Sequence, residues 1–277
     1  MAAMPSMVRL PCGRDLAYRE YGAADGFPVL FFHGNTNSRL FEAAWDKTQQ
    51  QTEAAGARVI AVDRPGVGAS SPHPDRTYAT WAKDITHLSR ALSLPRFAVL
   101  GFSSGGPHAL ACAALTPNVA ACGLISSDGP YATMDDGGVM MLRMFQGEVT
   151  RENCGPRAEA AVAAMRESYG GLKKPERKAM ALADLDEAVR QGIAGVAGDS
   201  LLETAPWPFD LKSVSVPVLL WHGEEDTDVE VAASRYMEGL LPHCSAEYIP
   251  KETHSLLRRR WQEILTRVVG TASQSRL

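Results

Sequence analysis

With 277 residues, 45% of them hydrophobic and 22% charged, the chain is long enough for one large domain or a domain with an insertion. A formal net charge of −4 leaves no basic footprint, which argues against nucleic acid as a partner. No apolar run approaches the ~20 residues of a membrane span, and the N-terminal MAAMPSMVRLPCG is too short and broken to read as a signal peptide.

The first elements are predicted to be antiparallel: MVRL and DLAYREY flank a PCGR turn, as in a hairpin at a sheet edge. Five nearly continuous apolar runs follow: PVLFF (28–32), ARVIAV (57–62), FAVLG (97–101), VAACGLIS (119–126) and VPVLLW (216–221). Such runs suit strands buried on both faces of a parallel sheet. Helical composition fills the segments between and after them, at about 39–55, 77–93, 104–116, 229–241 and 254–268. This alternation predicts an α/β fold: a mostly parallel, doubly wound sheet with right-handed crossovers.

From Tyr131 to Asp210 the rhythm breaks: the text is Gly-, Ala- and Met-rich with helical spacing and holds six of the ten methionines. We read 131–210 as a helical cap insertion over the C-terminal edge of the sheet, and 1–130 with 211–277 as the core domain. Met134, Met140, Met141, Met144, Met165 and Met180 could line an adaptable apolar pocket there, or pack the insertion's own small core. The five cysteines are scattered, with no metal-ligand spacing, and are expected to be reduced thiols of an intracellular protein. The C-terminal Ser275-Arg276-Leu277 is a close variant of a peroxisomal address, so the expected location is cytoplasmic, or peroxisomal in a eukaryotic source.

One short stretch carries chemistry. In GFSSG (101–105) a G-x-S-x-G pattern centred on Ser103 follows a predicted strand and precedes a predicted helix. A sharp strand-to-helix turn would lift the central side chain clear of the sheet and allow only small residues at Gly101 and Gly105. Ser103 Oγ would then stand at a helix N-terminus, whose dipole favours developing negative charge. Ser104, one step further on, offers a backbone N–H to an oxyanion rather than a nucleophile. Taken alone, the pentapeptide reads equally well as a Gly/Ser turn.

A serine nucleophile needs a base. His33 and His222 precede glycines at strand ends and suit loop hydrogen bonds, His108 lies inside the helix after Ser103, and His73, His87 and His243 lack strand-end context. His254, in the loop KETHSLL after the strand-like AEYIP, can reach the C-terminal edge of the sheet. For the acid that orients the imidazole we favour Asp226 in VLLWHGEEDTDVEV, with Asp228 and Asp128 as rivals. Either Asp226 or Asp228 could instead cap a helix.

At this point the chain resembles the α/β-hydrolase fold superfamily. It is similar in the elbow GFSSG, the order Ser103, Asp226, His254, the HG-x-like FFHGN (31–35), the D-x-G-x-G-x-S-like DRPGVGASS (63–71) and the acid-bearing WHGEEDTDV. The resemblance covers 28–130 and 211–268, and the alignment of Val229 supports Asp226 over Asp228. It implies that the Asn35 N–H is the second oxyanion donor beside that of Ser104. It also implies a serine hydrolase that needs no cofactor or metal and acts on a small-molecule acyl substrate of apolar character, most simply a carboxylic ester. Thioester, lactone or amide cleavage, carbon–carbon bond hydrolysis on the same scaffold, and a hydrolase-like receptor with little turnover are the alternatives.

Overall fold

In the computed structural model, which describes residues 5–41, 47–134 and 149–275, the expected strands line up in one sheet. The strands are β1 (Ser6–Arg9), β2 (Asp15–Gly22), β3 (Phe27–Phe32), β4 (Ala57–Val62), β5 (Phe97–Phe102), β6 (Val119–Ile125), β7 (Val218–Gly223) and β8 (Cys244–Ile249). Their order is β1-β2-β4-β3-β5-β6-β7-β8. The β1–β2 hairpin is antiparallel, β2 joins β4 antiparallel, and every pairing from β4 through β8 is parallel. Strand β7 starts two residues later than its apolar run because Pro217 has no N–H for the ladder.

The helices of the core are α1 (Thr48–Ala54), α2 (Tyr78–Ala91), α3 (Gly105–Leu115), α7 (Val231–Glu238) and α8 (Leu256–Gln274); α4 (Cys154–Gly170), α5 (Pro175–Ala188) and α6 (Ala194–Glu203) lie between β6 and β7. Alternate strand residues feed two cores. Leu30, Phe32, Ile60, Val62 and Val99 meet Trp81 and Ile85 of α2 and Leu110 of α3 on one face. Val29, Phe31, Val59, Ala98 and Leu100 meet Trp261, Ile264 and Leu265 of α8 on the other. Both faces of the central strands are therefore dry, as their unbroken apolar runs require.

Two expectations change in detail. The helix expected over 39–55 is confined to Thr48–Ala54, with residues 42–46 outside the described ones. Arg39 instead turns inward, pairing with buried Asp63 and with Glu187 of α5. Of the methionines in 131–210, Met140, Met141 and Met144 lie outside the described residues, whereas Met134 packs on Val229 and Ala233 and Met180 packs on the α8 side of the core. At the C-terminus, Ser275 Oγ donates to Ala120 O at 2.8 Å and accepts from Arg96 Nη2 at 2.6 Å; Arg276 and Leu277 lie outside the described residues. Among the described residues no helix is long and apolar enough to cross a membrane.

Trp261 joins three elements: its Nε1–H donates to Thr52 Oγ1 at 2.8 Å, and its ring meets Phe31 edge-on at 5.6 Å. Trp261→Ala should cost about 3–5 kcal/mol of unfolding free energy, read by urea denaturation.

Candidate active site

The chain leaves β5 at Phe102 and enters α3 at Gly105, so only Ser103 and Ser104 make the turn. Ser103 has φ +53°, the left-handed region that non-glycine residues seldom adopt. Its N–H donates to Ile125 O at 3.0 Å, and its carbonyl accepts from Gly106 N at 2.9 Å, so the turn is held from both sides. A Cβ on Gly105 would strike the Phe32 carbonyl, and one on Gly101 would strike Gly105 O. The two flanking glycines are thus demanded by close backbone approach. Ser103 is partly exposed, and Ser104 is buried.

The loop after β3 lies against this turn: a Cβ on Gly34 would come within 3.3 Å of Ser103 Cβ. Asn35 keeps its side chain occupied, accepting from Thr36 N at 2.8 Å and donating to Glu203 Oε1 at 2.9 Å and Ser200 Oγ at 3.3 Å. Its backbone N–H, like that of Ser104, donates to no acceptor among the described residues. Two free amide donors beside one partly exposed hydroxyl can receive an oxyanion.

Asp226 and His254 meet directly. His254 Nδ1 donates to Asp226 Oδ2 at 2.9 Å, while Asp226 Oδ1 accepts from Asp228 N at 3.0 Å and Val229 N at 2.9 Å. Neither aspartate caps a helix, since α7 begins after Glu230. Asp228 is exposed, and its own N–H serves the Asp226 turn. Asp128 donates its N–H to Ser103 O at 3.3 Å and accepts from Tyr131 OH at 3.2 Å, so it borders the turn without a hydrogen bond to His254 among the described residues. The His254 ring lies on Phe102, centroids 4.9 Å apart, which brings it beside the residue preceding Ser103. Among the described residues Ser103 Oγ makes no hydrogen bond, to His254 or to any other group; apo geometries of this kind are often loose.

Three of the other histidines are occupied by buried partners. His33 Nδ1 bonds Gly34 O and His108 Nδ1 bonds Ser104 O, each at 2.9 Å, and burial with Arg64 nearby holds both imidazoles well below their ordinary pKa. His222 bonds Ser234 Oγ at 2.6 Å and Val229 O at 2.9 Å, with Asp226 Oδ2 3.4 Å away. Burial alone would push the Asp226 carboxyl up, but hydrogen bonds from His222 and His254 hold it well below the usual carboxylate range. For His254 burial works downward, and Asp226 overcomes it and raises the imidazole.

Sequence reasoning missed the polar groups brought by α5 and α6. Buried Asp184 accepts from Asn37 Nδ2 and Ser38 N at 2.9 Å and from Ser38 Oγ at 2.6 Å; burial pushes it up to about 7. Asp199 pairs with Arg64 at 2.9 Å and Arg76 at 3.0 Å. Glu203, buried beside Asp128, is pushed up to about 8. Their hydrogen-bond and ion-pair partners lie more than a hundred residues away in the chain, so no local pattern announces them. A separate cavity of about 950 Å3, bordered by Arg76, Cys154, Gly195 and Leu201, includes none of Ser103, Asp226 and His254. Among the described residues no group of three or more His, Cys, Asp or Glu side chains could hold a metal ion.

With this geometry in place, comparison with known proteins is decisive for the family: residues 28–256 match the alpha/beta hydrolase fold. The chain belongs to the α/β hydrolase fold family. Among relatives of this α/β hydrolase is a non-heme chloroperoxidase of Streptomyces lividans, 29% identical over 230 residues, 79% of this chain and 82% of the relative. A bifunctional esterase/perhydrolase of Acinetobacter calcoaceticus is 28% identical over 223 residues, 77% of this chain and 79% of its own. The α/β hydrolase fold is also that of an esterase from Exiguobacterium antarcticum, with a TM-score of 0.75 at 21% identity over 96% of this chain and all of the other.

The electrostatics predict a titration. By NMR the His254 imidazole should titrate above the ordinary histidine value of about 6.5. Asp226→Asn should lower it, because the largest opposition to burial is then removed and only the more distant charges of Asp228 and Asp128 remain.

Proposed function

We propose that this α/β hydrolase is a serine hydrolase acting on a carboxylic ester, with Ser103 as nucleophile, His254 as base and Asp226 as the acid that orients it. The observation that carries this proposal is the meeting of two separately built parts: the Asp226-held imidazole lies tilted against Phe102, immediately before the strained Ser103 turn. Ser103 Oγ adds to the ester carbonyl as His254 Nε2 takes its proton. The tetrahedral oxyanion accepts hydrogen bonds from the N–H groups of Asn35 and Ser104. His254 then returns the proton to the leaving alcohol, and water repeats the sequence on the acyl-enzyme. The esterase named among the relatives supports the ester class, and the Asp226–His254 pair supports the base.

We further propose that 131–210 forms a cap over this site and that the small-molecule acyl substrate it admits is apolar. Phe102 and the Phe41 ring stacked on it at 5.4 Å support an apolar wall. The ties from Asp184, Asp199 and Glu203 to the loops after β3 and β4 support the placement of the cap.

A fluorophosphonate probe tests the assignment. The wild-type protein and Ser104→Ala should label and Ser103→Ala should not; labelling that survives in Ser103→Ala, or fails in the wild type, overturns it. Asp226→Asn should lower kcat by about three to four orders of magnitude on a p-nitrophenyl ester. Because the base form of His254 is the deprotonated one, kcat/KM should rise with pH, with its midpoint above about 6.5. A flat profile from pH 5 to 8 would exclude His254 as the base.

A further inference from the structure

The loop that carries Asn35 is gripped by one buried side chain that belongs neither to the triad nor to the oxyanion hole. Arg64, fully buried just after β4, donates through Nη1 to His33 O and through Nη2 to Gly34 O, the latter at 3.0 Å. Its Nε also donates to Asp199 Oδ2 of α6 at 3.0 Å. The Gly34 carbonyl takes two further hydrogen bonds, from His33 Nδ1 at 2.9 Å and, at the longer distance of 3.3 Å, from Asn37 N. The carbonyl contacts fall on two consecutive peptide units.

The direction of those bonds matters. Gly34 C=O and Asn35 N–H belong to the same peptide unit, and no peptide bond here is cis. In a planar trans peptide the carbonyl and the N–H point to opposite sides. Fixing the carbonyl toward Arg64 therefore sends the Asn35 N–H to the side away from it. Gly34 faces Ser103 across a close contact, and the Asn35 N–H has no other acceptor among the described residues. A planar guanidinium can hold two neighbouring carbonyls and a carboxylate at once; an ammonium on a flexible stem cannot hold that plane.

We propose that Arg64 is the positioning residue of the oxyanion hole: it sets the 34–35 peptide so that the Asn35 N–H is aimed before substrate arrives, and Asp199 of α6 holds the guanidinium in that register. This rests on the assignment of Ser103 as nucleophile and of the Asn35 N–H as oxyanion donor. It makes α6 part of the catalytic apparatus, because the helix that lies over the site also aims one of its two donors. An oxyanion donor acts on the transition state and little on the bound ester, so a mis-aimed peptide should lower kcat and leave KM nearly unchanged.

The test uses the full-length protein with Arg64→Lys and Asp199→Asn, each active-site-titrated with the fluorophosphonate so that kcat is counted per functional site. Removal of a whole oxyanion donor costs about 10²–10³ in kcat. Mis-aiming should cost less: about 10- to 100-fold for Arg64→Lys and about 3- to 10-fold for Asp199→Asn. KM should stay within about twofold, and the pH midpoint assigned to His254 should not move. Binding of a trifluoromethyl ketone, which forms the tetrahedral adduct, should weaken by the same factor as kcat, while a non-reacting alcohol product analogue binds as before. Lowered thermal stability with unchanged kcat per titrated site would show a merely structural ion pair and overturn the proposal. So would a rise in KM at constant kcat. Should Arg64→Lys not fold, Asp199→Asn carries the same decision. Failure of the wild type to label at Ser103 would instead remove the assignment on which the proposal rests, and that outcome is read from the wild type alone.

Discussion

A turn of two residues between a buried strand and a buried helix governs this structure. Ser103 can hold its left-handed backbone only because Gly101 and Gly105 leave room for carbonyls that any side chain would strike. That crowding has a cause in the fold: β5 lies in the middle of the sheet between β3 and β6, so the turn must clear the ends of both neighbours. The same geometry puts the hydroxyl beyond the sheet edge and leaves the Ser104 N–H without a partner among the described residues. Strain, exposure and a free donor are three consequences of one constraint.

The second half of the site comes from the far end of the chain and is organised by electrostatics. Asp226 receives both N–H groups of its own turn on one oxygen and His254 on the other, so its charge is solvated by the protein in a place where water is excluded. Burial opposes the charge on Asp226 and on His254 alike; hydrogen bonds from His222 and His254 outweigh it at Asp226, and the bond to Asp226 outweighs it at His254. The Arg64–Asp199 pair follows a different logic. A fully buried ion pair recovers little more than its desolvation cost, so its presence is poorly explained by stability. Its geometry, a fork across two carbonyls of the loop after β3, points to orientation instead.

Much of this was legible in the sequence, and the reasons are physical. ARVIAV coincides with β4 because a strand dry on both faces leaves an unbroken apolar run, and Pro217 explains the shifted start of β7. GFSSG was legible because two glycines at that spacing record a steric demand, and Asp226 because the turn it closes ends on Val229 N. What stayed hidden is the set of polar contacts from α5 and α6. Asp184, Asp199 and Glu203 look in sequence like ordinary solvated positions of amphipathic helices, yet all three are buried against loops after β3 and β4. Only the packing of one layer on another, which no periodicity encodes, brings Arg64 and Asp199 together. The contact of His254 with Phe102 was equally invisible, since it depends on where two strand ends finish in space.

The claim that Ser103 performs covalent chemistry can be tested directly by trapping its product. Purified protein mixed with p-nitrophenyl acetate and quenched in acid during the first turnovers should carry one acetyl group per chain, located by peptide mapping on Ser103. An acetyl group on Ser104 or elsewhere, or sustained turnover of the wild type with no acyl-enzyme formed, would contradict the account.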